Sequence, residues 1–425
     1  MTDRDASAAT RDGAWPRTLH VVDAGSIGSG LVAVRIAAAL AAEAGPSQRV
    51  LFLGSGRARA AARATVVETG AAESTLVEGP CPLLGDPTLA IRPLRRALSA
   101  LEREHGAFER LVAWGSATSL AVALAMPGRR RRTVSTEGAV PDRRLFRLGR
   151  LGTGPFACLS AEASRSFVAA SPAFGPITEL SLPPAVSKPT GTRAAIRARW
   201  KVDESTVVVG VLGDDPRRCD LKHALDAVGF AAAGGIRCLI VVPPRAARSA
   251  ASREWSRQVR SFSIPSLGGG EPRFWITDER LDRPWSVVAG LDAAFIPGDG
   301  LATAGAAAAA GRVGVLDRLF GRPLVPADER YRPRAVPGSP VPYLCAMAAG
   351  VPVLADAATA PRAECDAEVA VLGDADDRVA ASRAVGELAV DRRTFDPLVA
   401  AARSRLAARH GPDALDRWRA FLASD

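Results

Sequence analysis

Two short stretches carry the residue types that could hold an anionic ligand. In the first, Pro337–Ala355 reads P-G-S-P-V-P-Y-L-C-A-M-A-A-G-V-P-V-L-A. Gly338 and Ser339 precede an apolar helix predicted over Tyr343–Ala349, so bare backbone N–H groups gather near its N-terminus. That end of a helix has unsatisfied donors and the positive end of the peptide dipoles, which suits a diphosphate. Gly350 fits the left-handed turn that stops a helix, and the V-P-V-L run after it fits a parallel strand covered on both faces. The second stretch is the loop Gly25-Ser26-Ile27-Gly28-Ser29-Gly30. Its small residues let a ligand approach the backbone ahead of a helix N-terminus; they serve equally well as a tight turn for strand–helix packing. The glycine order is not G-x-G-x-x-G, and the next strand ends in Gly54-Ser55-Gly56 with no acidic partner for a ribose. Both features argue against a nicotinamide cofactor.

The elements that must position these loops follow from apolar runs and punctuation. After a disordered lead over residues 1–17, strands are predicted at Leu19–Asp23, Val50–Gly54, Leu111–Trp114, Thr133–Thr136, Phe156–Ser160 and Ile177–Leu182. Helices are predicted over Leu31–Ala44, Leu94–Glu104 and Ser116–Met126. A Pro- and Thr-rich run, Pro183–Gly191, marks a boundary. Beyond it come helix Thr192–Trp200, strand Val207–Leu212 ending at Gly213, helix Leu221–Ala232 and strand Ile236–Val242. A polar helix over Ser249–Ser261, a flexible turn at Gly268–Gly270 and strands at Phe274–Thr277 and Leu291–Pro297 follow. The tail holds a strand at Glu368–Leu372, a helix near Ala375–Val390 and two amphipathic helices broken at Gly411-Pro412, with Trp418, Phe421 and Leu422 as packing anchors. Strands alternating with helices give an α/β chain of two doubly wound, Rossmann-like domains facing a cleft. The expected units are 18–185, then 186–400 with an insertion over 298–336, then crossover helices over 401–425.

Size and composition agree. A chain of 425 residues with 48% apolar content can bury two cores. The net charge is +10 and the pI about 10.1. Lysine occurs only at 188, 201 and 222, so arginine carries nearly all the positive charge. Such a balance favours nucleoside diphosphates or an acidic membrane surface; dispersed basic residues and two tyrosines argue against nucleic acid. Cys81, Cys158, Cys219, Cys238, Cys345 and Cys365 form no C-x-x-C pair and no metal-like spacing with the four histidines, so no metal is expected and a reducing cytoplasm is. The polar N-terminus is unlike a signal peptide, and the weakly charged run Gly300–Gly311 is too short to span a bilayer. Arg129–Arg132 either caps a helix C-terminus or lies solvated on the surface, or else meets anionic headgroups at the inner membrane surface or a polyanionic acceptor.

The step A-M-A-A-G-V-P-V-L-A resembles the E-A-M-A-x-G-x-P-V-V-A signature of retaining nucleotide-sugar glycosyltransferases of family 4, which have the GT-B fold. The stretch F-A-C-L-S-A-E-A-S-R-S-F-V and the exit at Pro183-Pro184-Ala185 resemble the same family's passage between domains. The resemblance implies transfer of a hexose from a nucleotide sugar to an acceptor hydroxyl on a sugar, lipid or protein, without a metal or other cofactor. It also implies a C-terminal helix that crosses back to the first domain.

The family's two glutamates fall at Pro337 and Cys345, so both carboxylates are missing here. The strand that ends in the family's histidine ends here in V-S-T-E-G, which leaves Glu137 either as the polar or acidic group at the cleft, the one candidate for a catalytic residue, or as an ordinary loop carboxylate. The family's diphosphate-binding Arg and Lys fall at Asp214 and near Cys219, while Arg217, Arg218 and Lys222 stand close enough to restore the charge. Asp215 or Asp220 would otherwise serve as a helix cap. The resemblance thus implies donor contacts at Gly213, Arg217, Arg218, Lys222, Gly338, Ser339 and Tyr343, and an acceptor-side loop at Gly25, Ser26, Gly28 and Ser29. The missing carboxylates also keep open a GT-B-fold protein that binds or assembles without catalysing transfer.

Overall fold

The computed structural model describes residues 15–23, 27–54, 56–80, 90–128, 133–137, 155–159, 164, 177–212, 221–242, 274–278, 283–296, 340–357, 360, 364–373 and 378–424. Two wholly parallel sheets organise them. The first contains β1 (Thr18–Asp23), β2 (Gln48–Leu53), β3 (Leu76–Glu78), β4 (Arg110–Trp114), β5 (Thr133–Glu137), β6 (Phe156–Cys158) and β7 (Ile177–Glu179), in the order β3-β2-β1-β4-β5-β6-β7. The second contains β8 (Val207–Val211), β9 (Cys238–Val242), β10 (Phe274–Asp278), β11 (Ala293–Ile296), β12 (Val353–Asp356) and β13 (Val371–Gly373), in the order β10-β9-β8-β11-β12-β13. Both are doubly wound, and in each the strand order reverses beside the first strand. Runs such as V-V-V-G-V in β8 and C-L-I-V-V in β9 are buried throughout, as strands covered on both faces must be.

Helices cover both faces. The first domain has α1 (Ile27–Ala44), α2 (Gly56–Glu68), α3 (Ile91–His105) and α4 (Ser116–Ala125). A one-turn helix, α5 (Pro184–Ser187), and α6 (Arg193–Trp200) lie between β7 and β8. The second domain has α7 (Leu221–Ala233), α8 (Val341–Ala349) and α9 (Arg378–Val390), and the tail has α10 (Asp396–His410) and α11 (Asp413–Ala423). Helix α1 is apolar nearly all round and buried on all sides between Leu31 and Ala41, the mark of a core helix. The stretch Gly30–Ser47, which takes in most of α1 and the turn after it, is long and apolar enough to cross a membrane, but 67% of it is buried inside the fold.

Several elements differ from the sequence expectation. Helix α1 begins at Ile27, so Gly28 and Ser29 belong to its first turn rather than to a preceding loop. Helix α2 and strand β3 were not anticipated: G-R-A-R-A-A-A-R-A-T-V-V-E has no wide apolar stripe, and β3 has three residues. The last strand begins at Val371, because residues 366–370 make a turn in which Val369 and Ala370 N–H bond the Asp366 carbonyl. The segments 1–14, 129–132, 249–261, 268–270 and 298–336 lie outside the described residues.

The tail closes the molecule. Trp418 is fully buried and stacks on Trp114 of β4, ring centroids 5.9 Å apart, while its Nε1 donates to the Ser181 carbonyl at 2.9 Å. Arg110 Nε donates to the Leu422 carbonyl at 2.6 Å. Helix α11, at the far end of the chain, therefore crosses back onto the first sheet. Trp418, Phe421 and Leu422 are all buried, as their spacing predicted.

Two histidines support this corner in neutral form. His20 shares a hydrogen bond with Gln48 Oε1 at 2.9 Å and accepts from Trp114 Nε1 at 3.2 Å; burial pushes its pKa down to about 4. His410 Nδ1 accepts from Leu182 N at 2.9 Å, and burial pushes it likewise down to about 4. In the unfolded chain both return to about 6.5, so between these values the unfolded state holds more protons. Stability is therefore expected to fall as pH drops through that window, with a slope near pH 5 of about 2.4 kcal/mol per unit for two such groups. Calorimetry in buffers of different ionisation enthalpy should find about two protons taken up on unfolding at pH 5. Uptake near zero would show that the histidines are charged in the fold.

Candidate functional site

Doubly wound sheets bind ligands outside the carboxyl ends of their strands, where the strand order reverses. In the first sheet that place lies between β1 and β4, which end at Asp23 and Trp114; in the second it lies between β8 and β11, which end at Val211 and Ile296. Every chain segment singled out for chemistry leaves a strand at one of these edges or enters a helix there. The segment after β1 leads into α1 at Ile27, with Gly28 and Ser29 in the first turn. The one after β8 leads into α7, whose second residue is Lys222. The long connection after β11 enters α8 at Val341. Glu137 is the last residue of β5, paired in register with Cys158 of β6. Gly25, Ser26, Gly213, Arg217, Arg218, Gly338 and Ser339 lie outside the described residues, as do the side chains of Ser29, Glu137 and Lys222, and Gly28 is described only as a helix position.

Helix α8 is the best described wall of the second edge. Pro340 stands at its N-cap without a side-chain cap, its first turn holds no acidic residue, and Pro342 fixes the backbone there. These features leave the positive end of the helix without a countercharge of its own on that turn. Residues 341–347 are buried, Tyr343 among them at 2% exposure. Gly350 ends the helix at φ +72°, in the left-handed region that glycine enters without strain. Its N–H bonds the Ala346 and Met347 carbonyls, and β12 follows three residues later. Cys345 is fully buried beside Leu344, Ala346 and Met347, and burial pushes its thiol up to about 12. It stays protonated and supplies no charge where the resembling family has a glutamate.

A second group of residues joins the two edges, and sequence reasoning did not find it. Arg35 lies in the middle of α1 with a side chain 1% exposed. Its Nε donates to the Val186 carbonyl at 2.8 Å, and its Nη2 donates to the carbonyls of Ala185 at 3.0 Å and Lys188 at 2.7 Å. The guanidinium lies 4.4 Å from the ring centroid of Trp285, and burial pushes its pKa down to about 10, with the Glu68 carboxylate acting in the opposite sense. Glu68, the last residue of α2, accepts from Arg283 Nη1 at 3.0 Å and from Trp285 Nε1 at 2.8 Å. Helix α5 packs against both α1 and α8 and so holds these two helices near each other. A charged residue inside an otherwise apolar helix was the available sequence signal for Arg35.

No family model matches the chain, and no curated protein matches it in sequence. Solved structures do match in fold. HepE from Anabaena, solved with UDP and glucose, superimposes with a TM-score of 0.64 at 13% identity, over 96% of this chain and 100% of that one. Sucrose-phosphate synthase from Thermosynechococcus elongatus gives 0.61 at 13% identity, over 96% and 100%. WaaG, a glycosyltransferase involved in lipopolysaccharide biosynthesis, gives 0.58 at 14% identity, over 96% and 100%. A Listeria monocytogenes structure described as a UDP-N-acetylglucosamine 2-epimerase gives 0.56 at 12% identity, over 97% and 98%. The architecture is the GT-B fold: two Rossmann-like domains with a returning C-terminal helix.

Proposed function

We propose that the chain is a glycosyltransferase that takes a nucleotide sugar, with a uridine diphosphate sugar as the first donor to test, and passes the sugar to an acceptor hydroxyl. The observation that carries this reading is the full-length match to HepE, a protein solved with UDP, with UDP and glucose, and with UDP-glucose. We assign the donor diphosphate to the edge formed by Gly213, Arg217, Arg218 and Lys222 on one side and Gly338, Ser339 and Tyr343 on the other. The acceptor is assigned to the opposite edge, against Gly25, Ser26, Gly28, Ser29 and Glu137. When the sugar leaves, negative charge grows on the diphosphate. The positive end of α8, together with the arginines, can stabilise it without a metal ion.

The donor site is tested by thermal stabilisation with uridine, guanosine and adenosine diphosphates. One of them is expected to raise the melting temperature, and Arg217→Ala with Arg218→Ala is expected to weaken its binding by about tenfold or more, since each arginine–phosphate contact is a charge-assisted hydrogen bond. Unchanged affinity in the double variant would remove the two arginines from the site. Analysis of the products formed from a bound nucleotide sugar then separates transfer or slow hydrolysis from epimerisation. Cys345, a protonated thiol where the resembling family has a glutamate, makes a protein that binds the nucleotide and turns nothing over the remaining outcome of the same assay.

A further inference from the structure

The ends of β2 and β3 form one corner of the first sheet's carboxyl edge, and two helices start there. Gly79 N bonds the Phe52 carbonyl at 2.8 Å, and Arg59 of α2 donates to the carbonyls of Gly54 at 2.6 Å and Gly79 at 3.0 Å. These bonds seat the first turn of α2 on the corner. Ala90 and Leu94, at the start of α3, share a core cluster with Leu51 and Leu53 of β2. The alternate residues Val50 and Phe52 belong instead to the cluster that takes in Ala61, Ala62 and Val66 of α2. The two helix starts therefore stand on opposite faces of the sheet.

Both starts are basic. Neither helix has an acidic residue in its first turn; Arg57 is the second residue of α2, Arg92 the second of α3, and Arg95 and Arg96 follow in the next turn. The carboxylate at the corner, Glu78, is taken by Arg59 and Arg63. Arg95 has a structural role, since its Nε donates at 2.8 Å to the carbonyl of Ala125, the last residue of α4. Arg57, Arg92 and Arg96 are exposed and make no hydrogen bond or ion pair among the described residues. Arginine in a first turn opposes the helix dipole, so Arg57 and Arg92 weaken the helices they begin. At the opposite edge charges are mixed: α3 closes with Glu102, Arg103, Glu104 and His105, and α1 and α2 close with Glu43 and Glu68.

We propose that this corner is a docking surface for an anionic phospholipid bilayer. Arginines spread over both faces of a sheet edge suit an array of headgroup phosphates rather than one small ion, and the guanidinium fork matches each phosphate. Leu94, Leu98 and Leu101, the apolar side of α3, are buried in the core, so the contact is electrostatic and α3 inserts nothing. The corner adjoins the edge to which the acceptor is assigned, but the inference does not rest on sugar transfer.

Co-sedimentation of the full chain with vesicles tests it. The chain is expected to bind vesicles of mixed phosphatidylglycerol and phosphatidylcholine and to ignore phosphatidylcholine alone. An arginine at an anionic surface is worth about fivefold, so Arg57→Gln, Arg92→Gln and Arg96→Gln together should weaken binding about a hundredfold. The same charge loss at Arg199→Gln, Arg383→Gln and Arg393→Gln, all exposed on α6 and the second domain, should leave binding near the parent's. Charges more than a Debye length of about 8 Å from the bilayer are screened at about 0.15 M salt. No binding to the mixed vesicles, or an equal loss in the two triple variants, would overturn the proposal. So would displacement from vesicles by inorganic phosphate at constant ionic strength, which would mark a site for one ion.

Discussion

Asp292→Ala is expected to cost about 3–5 kcal/mol of stability, the loss that follows when one partner of a buried ion pair is removed. Asp292 precedes β11, and its side chain is 2% exposed, as is that of Arg197. One carboxylate oxygen takes Arg197 Nη1 at 3.0 Å and the Val208 backbone N–H at 2.8 Å; the other takes Arg193 Nη2 at 2.6 Å and lies 3.3 Å from Arg392 Nε. Alanine would leave the enclosed Arg197 guanidinium with only the largely exposed Glu204 carboxylate, 3.4 Å from its Nε, as countercharge, and the Val208 N–H without its acceptor. It would also unfasten α6 from the second sheet. The same truncation at Glu78, whose carboxylate is 34% exposed, should cost less than about 1 kcal/mol. Equilibrium unfolding in urea compares the two. A loss at Asp292 no larger than that at Glu78 would mean that water reaches the pair and that the buried network is misdescribed.

Trp418→Ala should cost about as much, roughly 3–5 kcal/mol for a large aromatic removed from a core. The side chain is enclosed by Trp114, 5.9 Å away and stacked, and by Phe421, 6.3 Å away and edge-on. Its Nε1 also satisfies the Ser181 carbonyl in the first passage between domains. Truncation therefore opens a cavity over β4 and strands a backbone acceptor at once. We expect α11 to detach before the sheets melt, so limited proteolysis should cut the tail near Gly411 in the variant and leave the parent intact. Trp418→Phe keeps most of the packing and should lose far less. If the alanine variant melts with the parent and resists cleavage, α11 is not the cover of the first sheet.

These predictions mark where sequence reading stopped. The strands β1, β4, β8, β9 and β11 were legible because each is an apolar run that both faces of a parallel sheet require. The step from α8 through Gly350 to β12 was legible because a left-handed helix end calls for glycine. Helix α2 was not, since alanine and arginine make helix without making a stripe, and its burial rests on Ala61, Ala62, Thr65 and Val66. The start of α1 was placed too late because glycine and serine in a first turn look like loop. At the candidate site, the strand ends and helix starts were readable, but the relation between the two edges was not.

What the local sequence determines here is the alternation of strand and helix, the two windings, and the anchors of the last helix, because burial on one face or both leaves its imprint within a few neighbouring residues. What only the tertiary structure decided is how the halves are held. Arg35 finds its acceptors 150 to 153 residues away, Glu68 its partners 215 and 217 away, and Trp418 its carbonyl 237 away. A charge or an indole in the chain announces that it needs a partner, but the partner is chosen by which surfaces the two sheets bring together.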